Sequence, residues 1–531
     1  MKRREFIRTA VPAVTVPVLL NGVSVKAFGS APELEALTGA RGNNDHVLVL
    51  IELNGGNDGL NTVIPIDQYS GIAAVRSNVM IEQNKVLPLN GTTTVGLHPA
   101  MSGIQQMYNN GKVRIVQSVG YPNPNFSHFR STDIWTSASN SDDYLTTGWM
   151  GRYLNFEYPN FPADYPNSVM PDPLAIQIGG VSNPVFMGPV MNMAYSLLLD
   201  QNNNIQSYTF LGNVQDPYAV QKPYKKELEY IRLVKENTNG FGTAVKSAYD
   251  APGTQISYPN TDLAKQLKIV AKLISGGLKT KVYWVSLNGF DTHAAQVETD
   301  TTQGTHATLL QTLSDAVKAF HDDLQQMGLG DRVVSMTYSE FGRRIISNFS
   351  SGTDHGAAAP LLLFGNQVIS GVLGNNPLVS PTATVNDNLP MQYDFRSVYA
   401  SILQDWLCVS KQDIDNTILL QNFQALPLVH NSDCAAVGIR ELNKTAGLNL
   451  ISAYPNPFTT RTTIEFTTAG QHTLVEIFNP FGQQIKTLID TEMMAGTYQV
   501  DFENEGYAAG MYYVRFQNGA VQQVKPIVIA Q

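Results

Sequence analysis

Five short polar clusters carry the residue types that could do chemistry in this chain. Three fall close together: Gly289-Phe-Asp291-Thr-His293, Ser339-Glu340-Phe-Gly-Arg343-Arg344 and Gly352-Thr-Asp354-His355-Gly356. Two stand upstream: Asn54-Gly-Gly-Asn-Asp58-Gly-Leu-Asn61-Thr62 and Ser127-His128-Phe-Arg130-Ser131. Carboxylates and imidazoles hold zinc, manganese, magnesium or calcium, and such ions supply positive charge where a phosphoryl or sulfuryl group gathers negative charge. Asp58, Asp291, His293, Glu340, Asp354 and His355 are therefore read as metal ligands. Ser127 beside His128 reads as a nucleophile with its base, and Arg130 and Arg343 as bidentate clamps on an anionic ester. Asn54 opens a Gly-rich turn that lets backbone approach a bound oxyanion closely. Each has a plainer alternative: Ser127 as a helix cap, Asp-x-His as a structural pair, Glu-Phe-Gly-Arg as an ion-paired loop, and Asn54 to Thr62 as an ordinary tight turn.

The elements around these clusters say why they should meet. His46 to Leu53, Val113 to Val119, Val282 to Leu287 and Arg332 to Thr337 are near-continuous apolar runs, as expected of strands buried on both faces of a parallel sheet. A helical pattern from His306 to Met327 separates the last two, and Asp262 to Ile274 leads into the third. Leu361 to Gly365 reads as a further strand, and Asp394 to Leu407 as an amphipathic helix with Asp394 at its N-cap. In a doubly wound, mostly parallel α/β sheet the ligand crevice lies outside the carboxyl ends of the strands, which is where the polar clusters fall. The region from Gly148 to about Asp262 is rich in Asn, Pro and Tyr and reads as loops with short helices, among them Pro223 to Glu236.

At 531 residues the chain is too long for one ordinary domain, and its 43% hydrophobic and 15% charged content suits compact folding. A net charge of -9 argues against nucleic acid or an anionic membrane held by bulk charge. From Leu448 the α/β pattern gives way to short alternating strands separated by Gly and Pro, the pattern of a small β-sandwich. Cys408 and Cys434 either form one disulfide, worth roughly 3 kcal/mol when unstrained, or stay as buried thiols. The apolar run Ala10 to Leu20 is too short to span a bilayer, and no other run reads as a transmembrane helix.

Four resemblances follow from these residues. Arg3-Arg4-x-Phe6-Ile7 resembles a bacterial twin-arginine signal, which implies a signal peptide over residues 1–30 and export through the twin-arginine machinery. Tyr454-Pro-Asn-Pro-Phe458, Asn479-Pro-Phe-Gly482, Gly496-Thr-Tyr498 and Gly510-Met-Tyr-Tyr-Val-Arg-Phe516 resemble the C-terminal sorting domain of the type nine (Por) secretion system, over 448–531 after a linker at 429–447. That resemblance implies passage through the periplasm to the cell surface or medium by the type nine machinery. The body, 46–428, resembles the family known as domain of unknown function fifteen-oh-one, on the five clusters above together with Gly120-Tyr-Pro-Asn-Pro-Asn125. That family in turn looks like a relative of the alkaline phosphatase and sulfatase superfamily. The likeness implies Asp58 as a first-strand ligand, Ser127 as nucleophile, Asp291 and His293 as a ligand pair and His355 as the last histidine. Phe341 stands where a metal-binding histidine is expected and Asp291 lies two positions from His293 instead of four, which implies one metal or a rearranged pair.

The sequence thus points to an exported, divalent-metal-dependent hydrolase of phosphate or sulfate esters acting on a small anionic ester. The alternative is a non-catalytic surface protein that binds glycan on the same scaffold. Whether Ser127 lies beside the carboxylate cluster separates the two.

Overall fold

The computed structural model describes residues 45–430, apart from 181, 201–204, 206–224 and 254–255, and residues 434 and 452–530, apart from short turns at 469–471, 480–482, 495 and 519–520. Of the twin-arginine segment only two three-residue strands, Val18–Leu20 and Val23–Val25, are described; the rest of it, and nearly all of the linker at 429–447, lie outside the described residues. The chain divides into two compact units, Asn44–His430 and a second made of residues 1–43 and 431–531.

The first unit is built on one nine-stranded sheet. Its strands in chain order are β1 (Val47–Asn54), β2 (Val113–Gly120), β3 (Ala175–Ile178), β4 (Ala194–Leu197), β5 (Val282–Asn288), β6 (Val333–Tyr338), β7 (Ala359–Phe364), β8 (Gly371–Leu373) and β9 (Tyr393–Asp394). They lie side by side as β8-β2-β7-β6-β1-β5-β3-β4, with β9 also on β2. The central strand β1 pairs in parallel with β5 and β6. Alternate residues of β1 serve opposite cores. Val47, Val49, Ile51 and Leu53 join one hydrophobic cluster, while Leu48 and Leu50 join the other. A strand covered on both faces needs no polar alternation, which is why β1 and β2 read as near-continuous apolar runs.

Helices cover both faces, as doubly wound topology requires. The long helix Thr305–Gln326 and the helix Asp262–Ser275 bury their apolar residues in the first cluster. On the other face lie α1 (His128–Ser137), the helix Trp149–Glu157 and the helix Phe395–Ser401, whose predicted N-cap Asp394 accepts from the Arg396 amide at 3.0 Å. That last helix passes into a π turn over Ile402–Trp406. No described helix is long and apolar enough to cross a membrane.

Three features depart from the sequence expectation. The loop-rich region contributes β3 and β4, four-residue strands that extend the sheet by parallel pairing, and in place of a short helix at Pro223 to Glu236 it holds a 26-residue helix, Lys225–Asp250. Strand β7 runs antiparallel to both β6 and β2. This reversal has a consequence for the site. The connection 339–358 leaves the carboxyl end of β6 and returns into β7 on that same edge, so all of its ionisable residues stay there.

The second unit holds three- and four-stranded antiparallel sheets between Ser452 and Ile529. Ile464, Phe466, Val475, Ile477, Phe502, Val514 and Phe516 form its core. Both cysteines, Cys408 and Cys434, are in disulfide form, which resolves the two alternatives left by the sequence.

Candidate metal centre

Strands β1, β2, β5 and β6 end on one edge, and their following loops bring most of the predicted residues together. Asp291 and His293 follow β5, Glu340 and Arg343 follow β6, Asp354 and His355 precede β7, and Ser127 and His128 open α1 after β2. The loops approach so closely that only glycine fits at two positions. A Cβ on Gly55, already at φ +124°, would lie 2.2 Å from the Asp291 nitrogen, and one on Gly352 would lie 2.3 Å from the His293 carbonyl.

At the centre are three imidazoles and one carboxylate. His293 Nε2 lies 2.8 Å from His355 Nε2 and 3.1 Å from Asp291 Oδ1. His355 Nε2 lies 3.2 Å from Asp291 Oδ1, and His128 Nε2 lies 3.4 Å from Asp291 Oδ2. The far nitrogen of each ring meets an acceptor: His293 Nδ1 meets Asp354 Oδ1 at 2.8 Å, His355 Nδ1 meets the Phe126 carbonyl at 2.7 Å, and His128 Nδ1 meets Glu340 Oε1 at 2.9 Å. Carboxylates and carbonyls only accept, so every Nδ1 carries the proton and every neutral ring turns an Nε2 lone pair inward. Lone pairs facing each other at 2.8 Å beside a carboxylate repel unless a cation lies among them.

The titration behaviour of the site agrees. Burial opposes ionisation of Asp291, but Arg343 first and the neighbouring His355 next outweigh it and hold the carboxyl below its ordinary value. Asp354 is held low against burial by His293 and Asn348. Burial pushes the His355 pKa down, against the pull of Phe126 and Asp291, which keeps the ring neutral and free to ligate. His128, Asp291 and His355 place ligand atoms within 4.8 Å of one another, and His293 touches two of the three. The site can hold a divalent ion, with Glu340, Asp354 and Phe126 orienting the imidazoles from behind in the usual manner of metal-bound histidines. Phe341, at the position where the family likeness calls for a histidine, is buried and packs its ring 5.0 Å from His128 and 4.4 Å from His355.

Glu340 is not a free ligand, because its carboxylate is engaged by the Gly55 amide at 2.9 and 3.1 Å and by His128. Asp58 is not in the cluster at all. It lies 1% exposed, paired with Arg76 and accepting from Gln296 Nε2 at 2.6 Å. Neither predicted anion clamp is available. Arg130 is held by Asp133 and the carbonyls of Asn140, Ser141 and Asp143, and stacks on Tyr144. Arg343, 1% exposed, donates to the carbonyls of Gly55, Gly56, Phe290 and Thr353 and to Asp291, which makes it the brace of the loops. Asn54 is exposed at the end of β1, where its carbonyl receives the Gly289 and Phe290 amides.

Ser127 is exposed at the N-cap of α1, and its hydroxyl makes no capping bond. It sits between Phe126, whose carbonyl touches His355, and His128, whose ring is in the cluster. Sequence reasoning had assigned His128 as a base; its geometry groups it with the metal-site imidazoles. Gln296 carries no local signal as a site residue.

Comparison with known proteins gives two family matches. Residues 211–406 match the model described as a protein of unknown function (DUF1501), and residues 452–530 match the secretion system C-terminal sorting domain. No curated protein matches the sequence. Among solved structures, a protein in the alkaline phosphatase superfamily from Vibrio parahaemolyticus is 9% identical, covering 93% of this chain and 84% of that one with a TM-score of 0.31. A sulfatase from Pseudoalteromonas sp. is 11% identical, covering 88% and 85% with a TM-score of 0.33. PorZ, a surface component of the type IX secretion system of Porphyromonas gingivalis, is 16% identical over 20% of this chain and 14% of that one, with a TM-score of 0.13. Likenesses this low leave activity to the chemistry of the site itself. Residues 211–406 thus resemble the DUF1501 family of unknown function, and the secretion system sorting domain that follows directs the chain to the cell surface or the extracellular space.

Proposed function

We propose that this exported protein is a divalent-metal-dependent hydrolase of phosphate or sulfate esters. One observation carries the proposal: three Nε2 lone pairs and the Asp291 carboxylate converge with no proton donor among them except Arg343. An imidazole-rich set favours zinc over magnesium, calcium and manganese, which prefer oxygen donors. Tetrahedral zinc with bonds of about 2.0–2.1 Å sets its donors roughly 3.3–3.4 Å apart, close to the longer distances here. The bound ion would neutralise charge on the ester and on its attacking oxygen.

The chain's own residues supply the rest. Ser127 is the nucleophile, at the positive end of a ten-residue helix that favours an anion or a developing alkoxide. Arg344 replaces Arg130 and Arg343 as the residue that orients the anion. It is half-buried, and its guanidinium lies 4.7 Å from the Phe126 ring while donating to the Asn386 carbonyl at 2.5 Å. In this reading export begins at the twin-arginine signal and ends with the sorting domain.

A second reading has its own support. Phe129 is 91% exposed beside His128, and Phe349 is fully exposed beside Asn348, which bonds Asp354 at 3.1 Å. Exposed aromatic faces beside a cluster also suit a glycan-binding surface protein.

Elemental analysis of the full chain separates the two. A stoichiometric metal, hydrolysis of a screened aryl phosphate or sulfate, and loss of that hydrolysis in Ser127→Ala with metal retained would support the hydrolase. A protein that stays metal-free after zinc and manganese are offered overturns it and leaves the glycan reading.

A further inference from the structure

We propose that Gln296 is a positioning residue for the His/Asp site, joining both ligand-bearing loops to the buried Asp58 through one side-chain amide; this rests on reading the cluster as a metal centre. Gln296 is fully buried. Its Nε2 donates to Asp58 Oδ2 at 2.6 Å, and its Oε1 accepts from Thr292 Oγ1 at 3.1 Å and Thr353 Oγ1 at 2.7 Å. Thr292 stands between Asp291 and His293, while Thr353 immediately precedes Asp354 and His355. The two loops also meet directly, the Thr353 amide donating to the Thr292 carbonyl at 3.1 Å.

The orientation of the amide is dictated. The carboxylate of Asp58, held ionised by Arg76, only accepts, so the Gln296 amino group must face it and the carbonyl oxygen must face the two hydroxyls. One acceptor thereby fixes the spacing of two loops. The site needs such a brace, because His293 and His355 come from different loops and their lone pairs repel when no ion is bound. Gln296 holds them together against that repulsion, so the metal meets a formed site and does not have to assemble one. Supports of this kind typically change metal affinity by roughly 10- to 100-fold.

The test uses the full chain as wild type, Gln296→Met, Thr292→Val and Thr353→Val. Zinc affinity is measured by competition with a chelating dye, and the thermal midpoint of each metal-free protein is measured beside it. Both threonine variants keep the side-chain shape, so they guard against a Gln296→Met protein that fails to fold. The expected result is zinc affinity lowered roughly 10- to 100-fold in all three, with a metal-free midpoint close to wild type in the threonine variants and lowered in Gln296→Met, where the buried Asp58 loses a donor. A folded variant that binds zinc as tightly as wild type overturns the proposal and leaves the metal centre standing. A lowered midpoint with unchanged affinity does the same, since it marks a purely structural role. Wild-type protein that takes up no zinc overturns the metal centre and this proposal together.

Discussion

Arg76→Met is expected to destabilise the first unit by about 3–5 kcal/mol, the usual cost of removing one partner from a buried ion pair. Arg76 and Asp58 are each 1% exposed and paired through Arg76 Nη2 and Asp58 Oδ2. Asp58 Oδ1 has no hydrogen-bond partner, so without the guanidinium the carboxylate would depend on Gln296 alone. Burial opposes the ionised form, yet Arg76 first and His306 next hold the Asp58 pKa below its ordinary value of 3.8. The sign follows. A depressed folded pKa gives stability that is present above the unfolded value and lost as pH falls through the folded one. In Arg76→Met that contribution vanishes and Asp58 takes up a proton on folding, so the deficit is greatest near neutral pH and narrows in acid. Denaturant midpoints at neutral and acid pH measure it. A variant within about 1 kcal/mol of wild type at neutral pH would show that the pair adds little. The double variant Arg76→Met with Asp58→Leu is expected to recover part of the loss, because no charge is then left buried.

Asp58→Asn adds a smaller, diagnostic prediction. It should weaken folding but leave metal content unchanged, whereas Asp291→Asn should lose metal with little effect on folding. Failure of Asp58→Asn to take up stoichiometric metal even at saturating zinc would return that residue to the ligand set which its sequence position suggested, whereas a weakened affinity alone would act through Gln296.

What could be read from the sequence depended on the range of the forces involved. The runs behind β1, β2, β5 and β6 were legible because burial on both faces makes them predominantly apolar, and the polar clusters at their ends were legible because strand ends converge. Strands β3 and β4 were not, since four residues among Pro and Asn gain their pairing only from β5 beside them. The ligand set was legible in kind but not in membership. Asp58 and Arg76 meet because the helix Tyr69–Arg76 delivers its last residue under the β1 turn, a contact no spacing rule encodes. Arg130 carries a partner three positions on, Asp133, which a helix brings to its side and which takes the guanidinium out of use. His128 reads as a base from its serine neighbour, and only the turn into α1 directs its Nε2 at Asp291.

Glu52→Gln is expected to remove the pH dependence that Glu52 imposes on the central strand. Glu52 is 7% exposed on β1, in register with Ser286 of β5 and Tyr338 of β6. Burial and then the charge of Glu340 push its pKa from 4.5 to about 7, against a hydrogen bond from Tyr338. A raised folded pKa means stability that is fully present below the unfolded value and lost as pH rises through the folded one. Between about 4.5 and 7 the folded protein therefore holds a proton that the unfolded chain has released, and it weakens steadily as pH rises. Glutamine copies the protonated acid, so the variant should match wild type near pH 4 and exceed it by about 2–3 kcal/mol near pH 8. Denaturant midpoints across that range, with a chelator present in every sample, measure the difference. Parallel curves for the two proteins would mean that Glu52 titrates as an ordinary carboxylate. The proton on Glu52 also bears on the site. Glu340 accepts from His128 Nδ1 and so helps to set which nitrogen of that ring faces Asp291. A neutral Glu52 puts no second negative charge beside the carboxylate that accepts from His128.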